Sequence, residues 1–511
     1  MELLVAGLDG LSYNMLDRFD VDAPFLRRTR GEGVSGDLMS VDTPTTIPAW
    51  TSFATGKDPG SHGISNMLRQ DASYEVGPSR PNATDAAVYD FLDDSVFVNL
   101  PASVGRVPAA ENAHLVSAML ARDEADAVPD ELKALDAYDD YVLDHDASLK
   151  VRPSAYLDHV LGISTARHRF AREAFETFKP RVGFVLFSTP DWAGHILSNL
   201  SSDAARRDFY ARLVELVDEL AADLAGLADN VVLLSDHGFE HKHTNVHLAE
   251  WLGDEGYFAE EETTTGATDV AVAAARAAAK RSDRLYALIR RVHNHIMGTA
   301  VGASLESAAS PQIDFPNSRA WQLRYGCVYV NDDRFDHPTV DDADALRREI
   351  REGLRELTDD EGRRIFRDVL LPGEAYENPG PDAPDVIARP APGFFPTTLW
   401  SPTGGVTSPT DNYEHRYRGI FAANGPLFAG GEAIEGLSIV DALPTILAAL
   451  GEPLSPEFDG EARLDALAEP AEPSVLSADE VPRPRTRPGD LDGTDRDGAV
   501  EDRLADLGYI E

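Results

Sequence analysis

NVVLLSDHGF, residues 230–239, joins a short apolar run directly to an aspartate and a histidine. An apolar run of this length, rich in valine and leucine, is typical of a buried β-strand. Asp236 and His237 follow at the point where the strand is expected to end, and both residue types bind metal ions in proteins. The stretch therefore predicts a buried strand that carries two metal-binding side chains to one edge of a sheet.

Three further apolar runs predict buried strands of the same sheet, namely ELLVAGL at 2–8, VGFVLFS at 182–188 and GIFAA at 419–423. Helical patterns lie between the runs, at 166–178 and 205–227. Strands that alternate with helices indicate an α/β fold whose sheet is mostly parallel. We therefore expect a central sheet covered by helices.

Each of these runs also lies close to an aspartate or a histidine. Asp9 follows the first run, Asp191 and His195 follow the second, and His415 precedes the last by a few residues. Ligands of open α/β sheets bind beyond the carboxyl ends of the strands, so we expect these side chains at one edge. His415 reaches that edge only if its strand runs antiparallel, which predicts a mixed sheet.

The candidate ligands comprise three carboxylates and three imidazoles: Asp9, Asp191, His195, Asp236, His237 and His415. A catalytic zinc ion takes about three protein ligands, so this set suits two ions. Two divalent ions about 3.5–4 Å apart can bind both the attacking and the leaving oxygen of a phosphoryl transfer. Mixed nitrogen and oxygen ligands favour zinc or manganese over calcium or magnesium.

A nucleophile for such a centre is predicted in TPTTIPAWTSFATG, residues 43–56. The stretch is typical of a loop that enters a helix, with Pro48 in the first turn, where proline is tolerated. The hydroxyl of Thr46 then lies near the positive end of the helix dipole, beside backbone amides that bind anions. Metal coordination can convert a threonine hydroxyl to an alkoxide at neutral pH. Taken singly, Thr46 and the ligand motifs also fit helix caps and surface loops, so the prediction depends on their joint occurrence.

Several motifs together resemble the alkaline phosphatase superfamily, and within it the type I phosphodiesterase and nucleotide pyrophosphatase family: GLDG, TPTTIPAWTSFATGKDPGSHGI, PDWAGH, SDHGF and YEHRYRGIFAANGP. The resemblance covers residues 1–255 and 319–455. It implies an alkaline-phosphatase-like fold, which is a three-layer α/β/α sandwich around a mostly parallel, mixed central sheet. It also implies a metal-dependent hydrolase of phosphodiester or pyrophosphate bonds in small, nucleotide-like substrates.

The same resemblance implies roles for individual residues. The family's two metal sites would be formed here by Asp191, His195 and His415, and by Asp9, Asp236, His237 and the hydroxyl of Thr46. Thr46 would attack phosphorus and form a phosphothreonine intermediate, which water then hydrolyses. Asn66 lies one place earlier than the family's asparagine that holds a phosphoryl oxygen. Ala49 replaces an asparagine of the eukaryotic nucleotide enzymes, which weakens a transfer of their nucleotide specificity.

Composition divides the chain into several parts. The catalytic core is predicted at 1–255 and 319–455, and an Ala-rich helical insertion with clustered Arg and Lys at 256–318. The insertion is interpreted either as a cap whose basic face meets an anionic substrate or a membrane surface, or as a solvated helix packed on the core. Residues 456–500 predict an acidic flexible tail, and residues 501–511 predict a short amphipathic segment that docks back.

The charge of the chain excludes some functions. Asp and Glu number 88 against 46 Lys and Arg, which gives a net charge of −42 dispersed along the 511 residues. Such an acidic surface repels nucleic acid, so no nucleic-acid binding is expected. It resembles the surfaces of proteins from salt-accumulating microbes, and we expect a haloarchaeal-type member. The sequence has a single cysteine, Cys327, no secretory signal and no apolar run near the about 20 residues that span a bilayer, so a cytoplasmic location is predicted.

Two alternatives to a diesterase remain open. A metal-dependent phosphomonoesterase of the same superfamily would use the same ligands, but the opening motif offers no Arg or Lys before Lys57 to offset the extra charge of a monoester. A catalytically silent member would act as a binding or scaffold protein, although the key positions all carry competent residue types. Separately, His241, His243 and His247 in HKHTNVH predict either a further metal site or a polar, His-rich loop.

Overall fold

A large mixed β-sheet lies at the centre of the protein. The computed structural model describes residues 1–79, 84–101, 103–117, 125–260, 313–401 and 404–486, and the elements below lie within these ranges. In chain order, the strands are β1 (Leu3–Leu8), β2 (Val34–Met39), β3 (Leu68–Gln70), β4 (Val76–Pro78), β5 (Ser95–Val98), β6 (Arg106–Val107), β7 (His114–Ser117), β8 (Asp126–Val128), β9 (Val182–Phe187), β10 (Asn230–Leu234), β11 (Gly238–His247), β12 (Ala320–Gln322), β13 (Cys327–Val330), β14 (Phe366–Leu370), β15 (Val386–Pro390), β16 (Phe394–Thr397), β17 (Thr407–Arg416), β18 (Arg418–Asn424), β19 (Leu437–Ser438) and β20 (Arg485–Thr486). The α-helices are α1 (Tyr13–Phe19), α2 (Pro24–Glu32), α3 (Thr46–Thr55), α4 (Pro59–His62), α5 (Val88–Phe91), α6 (Pro153–Phe178), α7 (Thr189–Ile196), α8 (Asp203–Ala225), α9 (Leu248–Asp254), α10 (Ala343–Glu356), α11 (Pro372–Ala375) and α12 (Ile439–Ala449).

The central sheet has the strand order β19-β2-β18-β10-β1-β9-β5-β7-β8. Its middle strands β10, β1, β9, β5 and β7 run parallel to one another. β18 pairs antiparallel with both β10 and β2, so the predicted mixed sheet is confirmed. The apolar runs of the sequence form β1, β9, β10 and β18, and their ends differ from the expected ones by at most one residue.

Helices cover both faces of the central sheet. In β1, Leu4, Ala6 and Leu8 belong to one apolar core, and Leu3 and Val5 belong to another, because successive residues of a strand face opposite sides. The first core is closed by α1, α2, α6, α7 and α8, and the second by α3, α5 and α12. The protein is therefore a three-layer α/β/α sandwich, as predicted.

A second, antiparallel sheet is formed by β12, β13, β15 and β14. Helix α10 packs on it through Leu346, Ile350 and Leu354, which recur every four residues and are buried in the same apolar core as Val328 and Phe366. A third sheet consists of β16, β11 and β17. Its antiparallel pair β11 and β17 brings the His-rich stretch next to the segment that contains His415.

The chain after residue 455 packs on the core as far as the structure describes it. Leu467 forms a β-bridge with Phe428, and β20 pairs with β6. Val481 is only 3 % exposed. The segment 456–486 therefore differs from the flexible tail expected from its composition, because a few apolar side chains anchor it between polar ones.

Two predicted segments fall mainly outside the described ranges. Of the insertion predicted at 256–318, residues 261–312 are not described, and neither are 487–511 of the tail and docking segment. Glu260 and Ile313, the described residues on either side of this gap, form an antiparallel bridge. Among the helices described, none combines the length and apolar character required to cross a membrane.

Gly238 lies where the backbones of two strands come close together. A Cβ atom at this position would lie 2.3 Å from the carbonyl oxygen of Arg418 and 2.6 Å from Cβ of Ser12. Relieving these contacts would displace the start of β18 or the residue that precedes α1. The glycine of SDHGF is therefore required by packing where β11 begins beside β18.

We predict that Gly238→Ala lowers the free energy of unfolding of the metal-free protein by about 1–3 kcal/mol, because the added methyl group must displace backbone atoms. Gly162→Ala in α6 is the matched control, since a Cβ there meets nothing within 4 Å. This control should gain about 0.5–1 kcal/mol from the better helix propensity of alanine. Thermal unfolding in chelator measures both effects, and an unchanged Tm for Gly238→Ala would contradict the close contact.

Candidate metal centre

Most of the residues predicted as metal ligands follow the carboxyl ends of neighbouring parallel strands, and one lies within β17. They are Asp9 after β1, Asp191 and His195 on α7 directly after β9, Asp236 and His237 after β10, and His415 within β17. On α7 the aspartate and the histidine are one helical turn apart and therefore face the same side. The topology of the central sheet thus delivers residues from four distant parts of the chain to one place.

Asp191, His195 and His415 form a first group of possible ligands. The Nε2 atom of His415 lies 3.2 Å from Oδ1 of Asp191, and Nε2 of His195 lies 3.6 Å from the same oxygen. The two imidazole Nε2 atoms are 3.0 Å apart. The ring of His195 is 31 % exposed, so this group opens to solvent, whereas Asp191 is fully buried.

Asp9, Asp236 and His237 form a second group, in which every side chain is buried. Nε2 of His237 lies 3.3 Å from Oδ2 of Asp236 and 3.8 Å from Oδ1 of Asp9. The same Nε2 atom is 3.9 Å from Oδ1 of Asp191 in the first group. The rings of His237 and His415 stack with their centroids 4.0 Å apart. The two groups are therefore contiguous.

Several buried polar atoms of these groups have no hydrogen-bond partner among the described residues: Asp9 Oδ1, both carboxylate oxygens of Asp191, Asp236 Oδ2 and His237 Nε2. Buried polar atoms in native proteins are almost always paired, because an unpaired one loses its hydration without compensation. Bound cations would satisfy all of these oxygen and nitrogen atoms together. The residues therefore fit a centre of two metal ions with mixed oxygen and nitrogen ligands.

Burial sets the protonation states of the cluster. It raises the pKa of Asp9 well above the usual value, and repulsion from Asp236 and Asp191 adds to the effect. Burial also raises the pKa of Asp236. It lowers the pKa of His415 to about 3, so that imidazole is neutral and able to bind a metal ion near neutral pH. A divalent cation would compensate the carboxylates for both the lost hydration and the mutual repulsion.

Backbone carbonyl groups orient two of the imidazoles. Nδ1 of His415 donates a hydrogen bond to the carbonyl oxygen of Pro44 at 2.8 Å. Nδ1 of His237 donates to the carbonyl oxygen of Gly238 at 3.2 Å. In both rings Nε2 is then the nitrogen that faces the ligand groups, which is the arrangement of outer contacts typical of metal-binding histidines.

Thr46 is the first residue of α3, one residue after the helix N-cap Thr45. Its hydroxyl is buried and has no hydrogen-bond partner among the described residues. Asn66 is also buried, and its Nδ2 is likewise unpaired within these residues, while its Oδ1 accepts a hydrogen bond from the backbone of Met67. The carbonyl of Ser65, the residue before it, accepts a hydrogen bond from the hydroxyl of Thr43. The segments that contain Thr46 and Asn66 are therefore in contact.

Two residues near the first group were not identified from the sequence. The ring of Tyr325 stacks on His415 with centroids 6.0 Å apart and planes inclined by 14°. Tyr325 has a φ of +50° and precedes Gly326 in the turn between β12 and β13, but RYGC alone does not distinguish this turn from others. Lys150 interacts electrostatically with Asp191 and His195. It lies in a 3₁₀ helix whose sequence has no recognisable motif.

The histidines of HKHTNVH have separate partners. Nε2 of His241 lies 2.7 Å from Oδ1 of Asp411, and Nδ1 of His243 lies 2.8 Å from the hydroxyl of Thr244. His247 is hydrogen-bonded through both ring nitrogens, to the carbonyl of Leu399 and the hydroxyl of Ser408. These contacts favour the polar, His-rich alternative over a further metal site, although the stretch forms part of strand β11 and is not the expected loop.

Comparisons with known proteins agree with this geometry. The sequence model of the family "Type I phosphodiesterase / nucleotide pyrophosphatase" matches residues 3–420. No curated protein matches the chain in sequence. A solved structure of phosphonoacetate hydrolase from Sinorhizobium meliloti 1021, in complex with phosphonoformate, is similar with a TM-score of 0.50 and 15 % identity, over 88 % of this chain and 95 % of that one. Human ectonucleotide pyrophosphatase / phosphodiesterase 5 is similar with a TM-score of 0.49 and 13 % identity, over 92 % of this chain and 100 % of that one.

At 15 % identity the phosphonoacetate hydrolase structure bears on the fold alone. The family match extends over most of the chain, and its range contains every residue of the two ligand groups. The alkaline-phosphatase-like α/β fold expected from the sequence is thereby confirmed. The chain therefore belongs to the type I phosphodiesterase and nucleotide pyrophosphatase family of phosphoric ester hydrolases.

Proposed function

We propose that the protein hydrolyses phosphodiester or pyrophosphate bonds of small, nucleotide-like substrates through a phosphothreonine intermediate on Thr46. The observation that carries the proposal is the contact of the two ligand groups with each other and with the loop before Thr46. His415 of the first group donates a hydrogen bond to Pro44, two residues before the proposed nucleophile. Family membership supports the same class of reaction.

Two divalent ions, zinc or manganese, fit the two groups. Asp191, His195 and His415 would hold one ion, and Asp9, Asp236, His237 and the Thr46 hydroxyl the other. When bound, such ions stabilise negative charge on a phosphoryl group and lower the pKa of a coordinated hydroxyl.

The chain itself offers further groups to a phosphoryl substrate. Thr46 begins α3, so its hydroxyl lies at the positive end of the helix dipole. The N–H groups of a first helical turn have no intrahelical acceptor and can donate to phosphoryl oxygens. The buried Nδ2 of Asn66, which has no hydrogen-bond partner in the described part of the chain, is the proposed side-chain donor. In the reaction, the Thr46 oxygen bonds to phosphorus as the leaving group departs, and water then cleaves the phosphothreonine and restores the hydroxyl.

A metal-dependent phosphomonoesterase is the alternative, and Lys150 is the observation that favours it. Burial lowers the pKa of Lys150 to about 8, and attraction to Asp191 opposes the shift. A cation that interacts electrostatically with Asp191 and His195 would offset the extra negative charge of a monoester. If the protein binds metal but hydrolyses neither diesters nor monoesters, the remaining alternative is a catalytically silent binding or scaffold protein.

The composition also supports proposals for the salt concentration and the cellular location in which the protein works. The net charge of −42 supports a haloarchaeal-type protein that remains dispersed in concentrated salt. The single cysteine, Cys327, is buried as a free thiol, which supports a cytoplasmic location. Cell fractionation with an antibody against the chain tests that location.

We predict that diesters are the better substrates. The protein, purified in high salt and reconstituted with zinc or manganese, should show a higher kcat/KM for bis-p-nitrophenyl phosphate than for p-nitrophenyl phosphate. The reason is that the opening motif places no Arg or Lys before Lys57 to bind the second charge of a monoester. A strong preference for the monoester would transfer the assignment to the phosphatase alternative.

We predict that Thr46→Ala loses at least about 10³-fold in kcat, because removal of a nucleophile eliminates the covalent route. Thr46→Ser should retain measurable turnover, since it keeps a hydroxyl at the same place. Thr55→Ala is the control at the other end of α3, where the hydroxyl donates to the carbonyl of Thr51 in the same helix and accepts a hydrogen bond from the backbone N–H of Lys57. Steady-state rates with the diester decide the matter, and wild-type activity in Thr46→Ala would remove Thr46 from the mechanism.

We predict that chelators abolish activity and that reconstitution restores two metal ions per chain, with about one ion in His195→Ala because the first group loses a ligand. His241→Ala is the matched control. His241 lies on the same sheet as His415, but its imidazole is hydrogen-bonded to Asp411 and belongs to neither ligand group. Metal analysis of the reconstituted proteins measures the stoichiometry. Retention of both ions in His195→Ala, or loss of an ion in His241→Ala, would contradict the assignment.

A further inference from the structure

Residues 42–46, which we term the nucleophile loop, connect Thr46 to parts of the protein that are distant in sequence. All five residues are buried. The carbonyl of Pro44 accepts a hydrogen bond from Nδ1 of His415 at 2.8 Å. The hydroxyl of Thr43 donates to the carbonyl of Ser65, next to Asn66. One short loop thus contacts a proposed metal ligand and the segment of the proposed phosphoryl-binding amide, and it ends at the proposed nucleophile.

The backbone of the nucleophile loop is held in an unfavourable conformation. Thr43 has a φ of +55°, in the left-handed region. A β-branched side chain is rarely found there, and such a conformation persists only where the surrounding contacts enforce it. Within the loop, the carbonyl of Thr43 accepts a hydrogen bond from the backbone N–H of Thr45 at 2.7 Å. The loop therefore depends on external contacts to keep its shape.

The external contact at the start of the loop is a bidentate ion pair. Arg389 donates from Nε and Nη2 to the two carboxylate oxygens of Asp42, at 2.6 Å and 2.8 Å. The side chain of Asp42 is 4 % exposed and that of Arg389 29 % exposed. Arg389 lies in β15 of the second sheet, so the pair joins that sheet to the loop. A bidentate arginine fixes orientation as well as distance, which a single hydrogen bond does not.

We propose that the Asp42–Arg389 ion pair positions the nucleophile. By fixing the start of the loop, it keeps the Thr46 hydroxyl and the Pro44 carbonyl in the relative places that attack and the orientation of His415 require. Arg389 is a positioning residue, because it acts through Asp42. The inference rests on the proposed role of Thr46. Its expected size follows from the sensitivity of enzymatic rates to alignment, since a displacement of about 1 Å can cost about 10²-fold.

The test compares Arg389→Gln and Arg389→Lys with the control Arg351→Gln. Arg351 of α10 forms an ion pair with Glu374 at 3.2 Å, and among the described residues neither side chain is hydrogen-bonded to the loop. With bis-p-nitrophenyl phosphate, we expect kcat to fall about 10–100-fold in Arg389→Gln, with KM within about twofold and both metal ions retained. Arg389→Lys should lie between this variant and the wild type, because an ammonium group cannot bind both carboxylate oxygens in the same way. The control should keep the wild-type kcat.

A double variant guards against misfolding, because Arg389→Gln alone leaves the buried Asp42 carboxylate unpaired. Asp42→Asn and Arg389→Gln are measured singly and together. In the double variant, kcat should be no lower than in the less active of the two single variants, as expected for residues that act as one unit. A lower Tm with wild-type kcat in the Arg389 variants, or multiplicative losses in the double variant, would overturn the proposal. Full activity in Thr46→Ala would overturn the proposed function. Inactive Thr46→Ala together with wild-type kcat in Arg389→Gln would overturn the positioning role alone.

Discussion

The close packing of Asp9, Asp191 and Asp236 at the edge of the central sheet is the main electrostatic constraint on this protein. Each carboxylate is at most 1 % exposed, and both burial and mutual repulsion raise the pKa of Asp9. Without positive charge, such a cluster destabilises the folded state when it is ionised. In the proposed enzyme the metal ions supply this charge, so binding of metal and stability of the site are coupled. The imidazoles of His195, His237 and His415, whose pKa values are lowered by desolvation, would complete the ligand set without adding repulsion.

The nucleophile loop connects this carboxylate cluster and its histidines to the rest of the fold. One of its carbonyl groups orients His415, and its last residue begins the helix that carries the proposed nucleophile. The aspartate at its start is paired with an arginine of the second sheet. The second sheet therefore contributes to the site through the backbone of this loop as well as through Tyr325, which stacks on His415. A site built this way is sensitive to changes in elements that bear none of the ligands.

The parts of the fold that were predictable from the sequence are those whose signal is local. β1, β9 and β10 are buried on both faces, so they are continuous apolar runs, and the ligand residues follow their ends directly. His415 could be placed because an antiparallel strand follows it. The strands of the second sheet are short and give no continuous apolar run, as in FRDVL of β14, where the two adjacent residues Arg367 and Asp368 are exposed. Asp42 and Arg389 are 347 residues apart, and no local pattern links them.

The segment 456–486 shows a further limit of composition. Its many Pro, Asp and Glu residues indicate a flexible chain, but Leu467 and Val481 are buried, and a strand at its end joins β6. A small number of anchoring contacts outweighs the average polarity of the segment. By contrast, the helices of the sandwich follow from periodicity, since α8 buries Phe209, Leu213 and Val217 at intervals of four residues.

The pairing of His195 with His415 joins residues 220 positions apart, and it has a consequence for how the protein matures. During translation, Asp9, Asp236 and His237 all leave the ribosome well before β17 and β18 exist. All residues of the more buried group are therefore synthesised in the first half of the chain, whereas the solvent-facing group is complete only after His415 has been added. In the proposed two-ion enzyme, the exposed position would then be the last to acquire its full set of ligands, and its ion could exchange with the surroundings through the open side of His195.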